Sequence, residues 1–266
     1  DPIKLLSLDI WDTVLRRKCH PDEIKYSASR YLYLNYIYKL KPAFRDINAL
    51  YLARKKNEGS SALTDDYEFR YEDAINGWLV QIFEVGTRSD IFHNIKEELL
   101  VHELEAELRS TEKDFAMDQF LHDKNFSQTI FASDFYMPKS FIQELLRKNG
   151  VSHHFINGYV SCDLVSNKRS GKLFDHIIKE FSLKNNEILH IGDNKYADVE
   201  VPSAMGINTF HYKDEHEDKL HKWFLEAFNQ KQVGKTDLHN KRIFTLCSLI
   251  SKDPKLSEME QIGVKI

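Results

Sequence analysis

The fold of this chain is decided by the stretch ILHIGDNKYAD at residues 188–198, where an apolar run leads directly into two aspartates. The stretch LLSLDIWDT at residues 5–13 has the same design. Short apolar runs that end at turn residues are typical of parallel strands buried on both faces. Because the carboxyl ends of parallel strands meet at one edge of a sheet, we expect the aspartates of both stretches to gather at that edge.

Outward from these stretches, short apolar runs alternate with amphipathic segments. Strands are predicted at 5–10, 129–132, 155–160, 187–191 and 207–211, and helices at 138–148, 171–181 and 196–205. Such an alternation is typical of an α/β fold in which crossover helices connect the strands of a parallel, Rossmann-like sheet.

A long helical segment separates the first strand from the others. Residues from about 14 to 125 carry helical periodicity and contain no clear strand. The first strand therefore has to pair with the later ones, and the helical segment is an insertion after strand one. We predict an α/β core at 1–19 and 126–213, a helical cap at 20–125 and a helical C-terminal extension at 214–266.

Apolar residues recur at helical spacing in the extension, in one line at Leu220, Phe224 and Phe228 and in a second line at Ile243, Cys247 and Ile250. Both lines are predicted to pack against the core rather than to bind a partner.

The composition excludes several classes of protein. The 266 residues carry a formal charge of only −4, so nothing indicates a nucleic-acid partner. No apolar run reaches the roughly 20 residues that a membrane span needs. Cys19, Cys162 and Cys247 lack paired spacing and no secretory signal opens the sequence, so we expect a reducing, cytoplasmic location.

The residue types between the two aspartate-bearing stretches indicate phosphoryl chemistry. Ser133 follows a predicted strand and can donate a hydrogen bond to a phosphoryl oxygen. Lys168 can balance the negative charge of a carboxylate and a phosphate, with Lys172 as the competing candidate. Asp193 and Asp198, together with Asp9, suit a divalent cation.

Three further polar residues stand near these segments. Arg16 and Arg17 follow the first strand, where they either meet an anionic substrate or lie solvated on the surface. His190 lies inside an apolar strand and is interpreted as a hydrogen-bonded core histidine rather than a catalyst.

The order and spacing of these segments resemble the haloacid dehalogenase-like (HAD) superfamily, most of whose members are magnesium-dependent phosphatases with an aspartate nucleophile. Residues 9–13, Asp-Ile-Trp-Asp-Thr, are similar to its motif Asp-x-Asp-x-Thr, and GDNKYAD at 192–198 is similar to its GDxxxxD motif. Lys168 precedes Phe174 with the spacing of the superfamily's KPxPxxF form, although the prolines are missing. The helical insertion corresponds to the C1 cap of these enzymes.

The resemblance implies a role for each matching residue. Asp9 is the expected nucleophile, which forms an aspartyl phosphate, and Ser133 and Lys168 complete the catalytic set. The expected cofactor is Mg²⁺, held by Asp9, the backbone carbonyl of Trp11, Asp193 and, directly or through water, Asp198. The expected substrate is a small phosphorylated molecule.

Trp11 departs from the phosphatase pattern, because it stands where those enzymes keep their second catalytic aspartate. An indole cannot exchange a proton at neutral pH, so the leaving group lacks its usual acid. Haloacid dehalogenases carry an aromatic residue at this position and need no metal, but they lack the GDxxxxD pair. Three functions therefore stay open: a magnesium-dependent phosphohydrolase, a catalytically weak or inactive binding module, and a metal-independent haloacid dehalogenase.

A bacterial subgroup of predicted HAD hydrolases is similar to this sequence in three places: Asp-Ile-Trp-Asp-Thr at 9–13, Arg16 and Arg17, and Ser-Asp-Phe-Tyr-Met-Pro at 133–138. Members of this subgroup occur beside or fused to glycosyltransferases of surface-polysaccharide pathways. The resemblance implies a phosphosugar as substrate and a glycosyltransferase domain or partner. It also implies that an inactive form would serve as a scaffold in a polysaccharide-assembly protein.

Overall fold

The computed structural model describes residues 2–63, 65–84, 89–124, 126–213 and 216–232. The strands are β1 Leu5–Leu8, β2 Leu15–Arg17, β3 Thr111–Lys113, β4 Thr129–Ser133, β5 Asn157–Val160, β6 Ile188–Gly192 and β7 Asn208–His211. The α-helices are α1 Asp22–Tyr36, α2 Ile47–Ser60, α3 Tyr71–Ile82, α4 Ser89–Ser110, α5 Phe115–Lys124, α6 Lys139–Lys148, α7 Ser161–Leu164, α8 Lys172–Phe181, α9 Val201–Ala204 and α10 Glu217–Gln232.

Five strands form one parallel sheet in the order β5-β4-β1-β6-β7. This arrangement confirms the predicted α/β, Rossmann-like fold. Strand β1 lies in the middle, and its Leu5, Leu6 and Leu8 are fully buried. Burying each leucine side chain contributes roughly 1.5–3 kcal/mol, which explains why this strand is apolar throughout apart from Ser7.

The predicted absence of strands between residues 14 and 125 is wrong at two points. Strand β2 pairs antiparallel with β3, with Arg17 opposite Thr111. Each strand has only three residues, and their charged side chains leave no apolar alternation to detect. The pairing instead joins the two ends of the helical insertion across about a hundred residues of sequence.

The insertion lies over the carboxyl edge of the sheet. Asp66, between α2 and α3, accepts hydrogen bonds from the Ser170 hydroxyl at 2.7 Å and from Lys172 Nζ at 2.8 Å. Tyr136, in the loop after β4, donates to Glu103 of α4 at 3.0 Å. The loops that end the sheet strands therefore contact the insertion directly, while its exact boundaries stay a prediction.

Helix α10 is the described part of the predicted C-terminal extension. Phe228 is buried, and its ring stacks on His20 with centroids 5.0 Å apart. Leu220 is 47% exposed, so the predicted packing of this apolar line on the core is wrong at its first position. The second line, Ile243, Cys247 and Ile250, lies outside the described residues.

Within the described ranges, no helix is both long enough and apolar enough to cross a bilayer.

Candidate active site

Three of the sequence-predicted residues meet at the carboxyl edge of the sheet. Asp9 follows β1, and its backbone N–H donates to the carbonyl of Ile191 in β6 at 2.9 Å. Lys168 Nζ lies 2.7 Å from Asp9 Oδ1 and 2.6 Å from Asp198 Oδ1. All three side chains are buried, so this lysine bridges two carboxylates away from bulk water.

The charges of this group depend on one another. Burial raises the pKa of Asp9 to about 7, although the ammonium group of Lys168 opposes the shift. Burial would lower the pKa of Lys168, but Asp9, Asp198 and Asp134 outweigh it and raise that pKa well above its ordinary value. Lys168 is therefore a permanent positive charge beside Asp9.

A buried chain of polar groups holds Asp198 against Lys168. Burial alone would raise the pKa of Asp198, but Lys168 and His190 outweigh it and keep that pKa far below its usual range. His190 Nε2 lies 3.1 Å from Asp198 Oδ1, and its Nδ1 lies 2.9 Å from the hydroxyl of Ser7. Because burial lowers the pKa of His190, the ring is neutral and has one N–H, which donates to the carboxylate while the other nitrogen accepts from Ser7.

His190 is thus a hydrogen-bonded core histidine, as predicted, but its contact with the site was missed. The sequence signal was available: Ser7 and His190 are polar residues inside two buried apolar runs. They lie directly opposite each other in the β1–β6 pairing.

The backbone after β6 brings the carboxylate of Asp198 close to Gly192, at the end of that strand. A Cβ at Gly192 would lie 2.4 Å from the carboxylate of Asp198, so only glycine allows this approach. The helix predicted from residue 196 begins instead as a π-helical turn, Lys195–Glu200, whose first N–H groups are capped by the side chain of Asn194. Such turns are frequent at functional sites, because they re-aim side chains.

Asp193 completes an acidic cluster. Asp9, Asp193 and Asp198 each place a carboxylate oxygen within 4.8 Å of the others. Burial raises the pKa of Asp193 to about 9, and the charges of Asp9 and Asp198 add to the shift. Lys168 pairs with Asp9 and Asp198 but not with Asp193, and the hard oxygen donors of the three carboxyl groups fit Mg²⁺. The residues present therefore suit the predicted metal.

Unpaired polar atoms surround the same site. Within the described part of the chain, Ser133 Oγ, Thr13 Oγ1 and Trp11 Nε1 are buried without a hydrogen-bond partner. Leaving such a group unpaired costs roughly 1–3 kcal/mol, so buried orphans indicate a missing ligand or water. Ser133 is the last residue of β4, on the strand next to β1, as a phosphoryl-oxygen donor requires.

The indole ring of Trp11 packs against two side chains. Its ring lies 5.0 Å from that of Phe135, and the guanidinium carbon of Arg17 lies 3.5 Å from its centroid. Arg17 in turn pairs with Glu107 of α4 at 2.7 Å. Arg16 is partly exposed and pairs with Asp114 at 2.8 Å. The structure thus shows both arginines in ion pairs, and a contact with an anionic substrate stays a prediction.

Lys172, the competing candidate, lies on the surface and not in the buried group. The side chain of Lys172 is 52% exposed and pairs with Asp66 of the insertion, whereas that of Lys168 is 3% exposed. Asp134 was not singled out from the sequence, yet its Oδ1 accepts the backbone N–H of Lys168 at 2.9 Å and fixes the loop that carries the lysine. Its position directly after Ser133 was the available signal.

A cavity of about 510 Å³ opens between the insertion and the core beside this group. Its walls include Glu68 from the insertion and Asp134, Asn167 and Arg169 from the core loops. Asn167 and Arg169 flank Lys168 in sequence and Asp134 binds its backbone, so the cavity borders the loop that carries Lys168, although none of the buried carboxylates lines it. It is large enough for a small metabolite.

Solved structures of similar fold are HAD enzymes. A 2-haloacid dehalogenase from Pseudomonas syringae pv. Tomato DC3000 aligns with a TM-score of 0.57 and 17% identity over 79% of this chain and 86% of that chain. A HAD-hydrolase from Bacillus subtilis bound to magnesium aligns with a TM-score of 0.49 and 15% identity over 79% and 88%. A HAD phosphatase from Thermococcus onnurineus aligns with a TM-score of 0.49 and 15% identity over 80% and 87%.

No family model and no curated protein sequence matches the chain. At 17% identity, the likeness to the Pseudomonas dehalogenase concerns the fold. The central β1, the crossover helices and the helical insertion after strand one are therefore those of a known architecture: the chain has the α/β fold of the haloacid dehalogenase-like hydrolases.

Proposed function

We propose that this protein is a magnesium-dependent phosphohydrolase that acts on a small phosphorylated metabolite through an aspartyl phosphate at Asp9. The observation that carries the proposal is the buried group in which Lys168 lies 2.7 Å from Asp9 while Asp193 offers a further carboxylate oxygen. A lysine and a cation site beside one carboxylate suit attack on a phosphate dianion.

The residues divide the work in two steps. Asp9 Oδ forms a bond to phosphorus while the bond to the leaving oxygen breaks, and that oxygen leaves with the electron pair. A water then attacks phosphorus, and Asp9 is released with inorganic phosphate as the product. Lys168 balances the charge of the nucleophile and the phosphoryl group, and Ser133 donates to a phosphoryl oxygen.

Magnesium, held by Asp9, Asp193 and the backbone carbonyl of Trp11, would neutralise the phosphate charge that otherwise repels the nucleophile. Asp198 has a different part in this proposal. Its Oδ1 faces Lys168 and His190, and its Oδ2 accepts the backbone N–H of Asn194 at 3.0 Å. We therefore assign Asp198 to orienting Lys168 and to reaching the metal only through water.

Trp11 sets the expected substrate range. General acid–base help is typically worth about 10²–10⁴-fold, and the indole supplies none. Phosphate monoesters with alkoxide leaving groups should turn over slowly. The turnover of acyl and aryl phosphates should be reduced less, because their leaving groups need little protonation.

The test compares wild type with Asp9→Asn on acetyl phosphate and p-nitrophenyl phosphate, with and without Mg²⁺. We expect weak, magnesium-dependent hydrolysis that Asp9→Asn abolishes, and a phosphoenzyme that acid quenching traps in wild type alone. Lys172→Met, on the exposed lysine, is the matched control for Lys168→Met and should keep its kcat. Equal hydrolysis by wild type and Asp9→Asn would refute the mechanism.

A second candidate rests on the aromatic residue at position 11, which favours a metal-independent haloacid dehalogenase. Chloride release from 2-chloropropionate in the presence of a chelator would establish it in place of the phosphohydrolase. A third candidate, a non-catalytic binding module, requires that neither wild type nor Trp11→Asp hydrolyses any phosphate.

We further propose that the substrate is a phosphosugar and that the protein works in the cytoplasm beside a glycosyltransferase of surface-glycan synthesis. This proposal rests only on the resemblance of residues 9–13, of Arg16 and Arg17, and of residues 133–138. A cavity of about 510 Å³ fits a substrate of that size. A panel of hexose and pentose phosphates tests the substrate class, and co-purification with a glycosyltransferase tests the partner.

A further inference from the structure

A second group of ligand-type side chains lies where helix α10 contacts the loop after β1. Glu217 and His221 are four residues apart on this helix, so they share one face. Both face Asp12, the residue after Trp11. His221 Nε2 lies 3.1 Å from Asp12 Oδ2. None of these three residues has a part in the proposed phosphoryl chemistry.

The spacing of the donor atoms suits a metal ion. Asp12, Glu217 and His221 each place one ligand atom within 4.8 Å of the others. Bonds of about 2.0–2.2 Å place neighbouring ligand atoms of a tetrahedral site roughly 3.3–3.6 Å apart, so only small side-chain shifts are needed. One imidazole nitrogen with two carboxylates suits Zn²⁺, Mn²⁺ or Co²⁺, whereas Mg²⁺ prefers oxygen ligands alone.

An arginine side chain holds one carboxylate of the group in place. Arg16 Nη1 lies 3.3 Å from Glu217 Oε2, and Arg16 Nε donates to Asp114 at 2.8 Å. Metal-binding carboxylates are commonly held by such outer hydrogen bonds.

We propose that Asp12, Glu217 and His221 form a cation site for a divalent transition metal, separate from the acidic cluster of Asp9 and Asp193. The site does not depend on phosphoryl transfer, so it can be tested independently of the proposed function. A bound metal would cross-link helix α10 to the loop that carries Trp11. It would thereby fix helix α10 against the loop that follows Asp9.

The experiment uses the full chain, stripped with a chelator and titrated with Co²⁺ and then Zn²⁺. Cobalt absorbance reports imidazole ligation, and competition with a chromophoric chelator gives the zinc affinity. The variants are His221→Gln and Glu217→Gln. His216→Gln changes a histidine just before the same helix and is the matched control. Asp193→Asn removes a ligand of the inner cluster only. Circular dichroism confirms that each variant is folded.

We expect one equivalent of cobalt with an imidazole ligand in wild type, in His216→Gln and in Asp193→Asn. His221→Gln should lose this spectrum, and both His221→Gln and Glu217→Gln should weaken zinc binding by about 100-fold or more, since even the loss of an outer-shell partner costs about 10–100-fold. An unchanged spectrum in His221→Gln, or its loss in Asp193→Asn, would overturn the proposal. Wild type without an imidazole-bound cobalt would overturn it as well.

Discussion

Lys168 is the residue on which the buried charges depend. With Asp9 and Asp198 both within 2.7 Å of its ammonium group, Lys168→Met leaves two buried carboxylates without their counter-charge. Breaking a buried pair in this way typically costs about 3–5 kcal/mol. We expect a clearly lower melting temperature at pH 7 without Mg²⁺. Lys172→Met should melt like wild type, because exposed pairs contribute about 0–1 kcal/mol.

The acidic cluster predicts how stability depends on pH. Carboxyls with pKa values of about 7 at Asp9 and about 9 at Asp193 hold protons in the folded state that an unfolded aspartate, with a pKa of about 3.9, releases. Their contribution is fully present below about pH 4 and is lost as the pH rises through about 7 to 9. The metal-free melting temperature should therefore fall between pH 6 and pH 9.

Excess Mg²⁺ should restore the lost stability at the alkaline end, since it binds the folded carboxylates. Asp193→Asn should show a flatter pH profile and no magnesium effect. A wild-type melting temperature that rises from pH 6 to pH 9 without metal would contradict the assigned charges.

Trp11 gives a prediction about turnover. Trp11→Asp restores a proton donor at the position where phosphatases carry one, so hydrolysis of alkyl phosphate monoesters should rise by about 10²-fold. Hydrolysis of p-nitrophenyl phosphate should change much less. Trp11→Asn adds polarity but no transferable proton, so it separates the effect of removing the indole from the effect of supplying a proton. A similar gain with asparagine would show that removing the indole, rather than supplying a proton, matters.

At the scale of elements, the helices of the insertion are held together by buried ion pairs. Arg54 of α2 is fully buried and pairs with Glu103 of α4 and, at 3.2 Å, with Glu58. Arg54→Met should lower the free energy of unfolding by about 3–5 kcal/mol, because Glu103 stays buried without its partner. Lys55→Met, which removes an exposed pair with Asp22 at 3.3 Å, is the control. Chemical denaturation measures both.

The sequence pattern was enough to predict the strands of the sheet, but it did not predict the contacts between polar residues buried inside the sheet. Strands such as β1 and β6 were predicted, because a strand buried on both faces has to be apolar. The contact between Ser7 and His190 was missed, because one sequence does not show which strands become neighbours. The β2–β3 pair was missed for the same reason: its stability comes from partners distant in sequence, such as Glu107 for Arg17.

At the scale of the whole molecule, the insertion and the core share one interface at the carboxyl edge. Asp66 spans it by binding Ser170 and Lys172, close to the loop that holds Lys168. Asp66→Asn should weaken this contact and raise KM several-fold while kcat stays nearly constant, because the substituted residue only helps to hold the cavity wall. Steady-state kinetics on acetyl phosphate separate the two constants. A fall in kcat alone would place Asp66 closer to the chemistry.

The pairing of β2 with β3 has a consequence for how such a chain assembles. Lys18 donates its backbone N–H to the carbonyl of Ser110 at 2.7 Å, so the insertion leaves and re-enters the core at neighbouring points. Closing a loop costs entropy that grows only slowly with its length. The length of the segment between β2 and β3 therefore has little effect on the entropy of bringing its two ends together. Adding or removing residues far from the two ends, on parts that do not pack against the sheet, should therefore cost little loop-closure entropy.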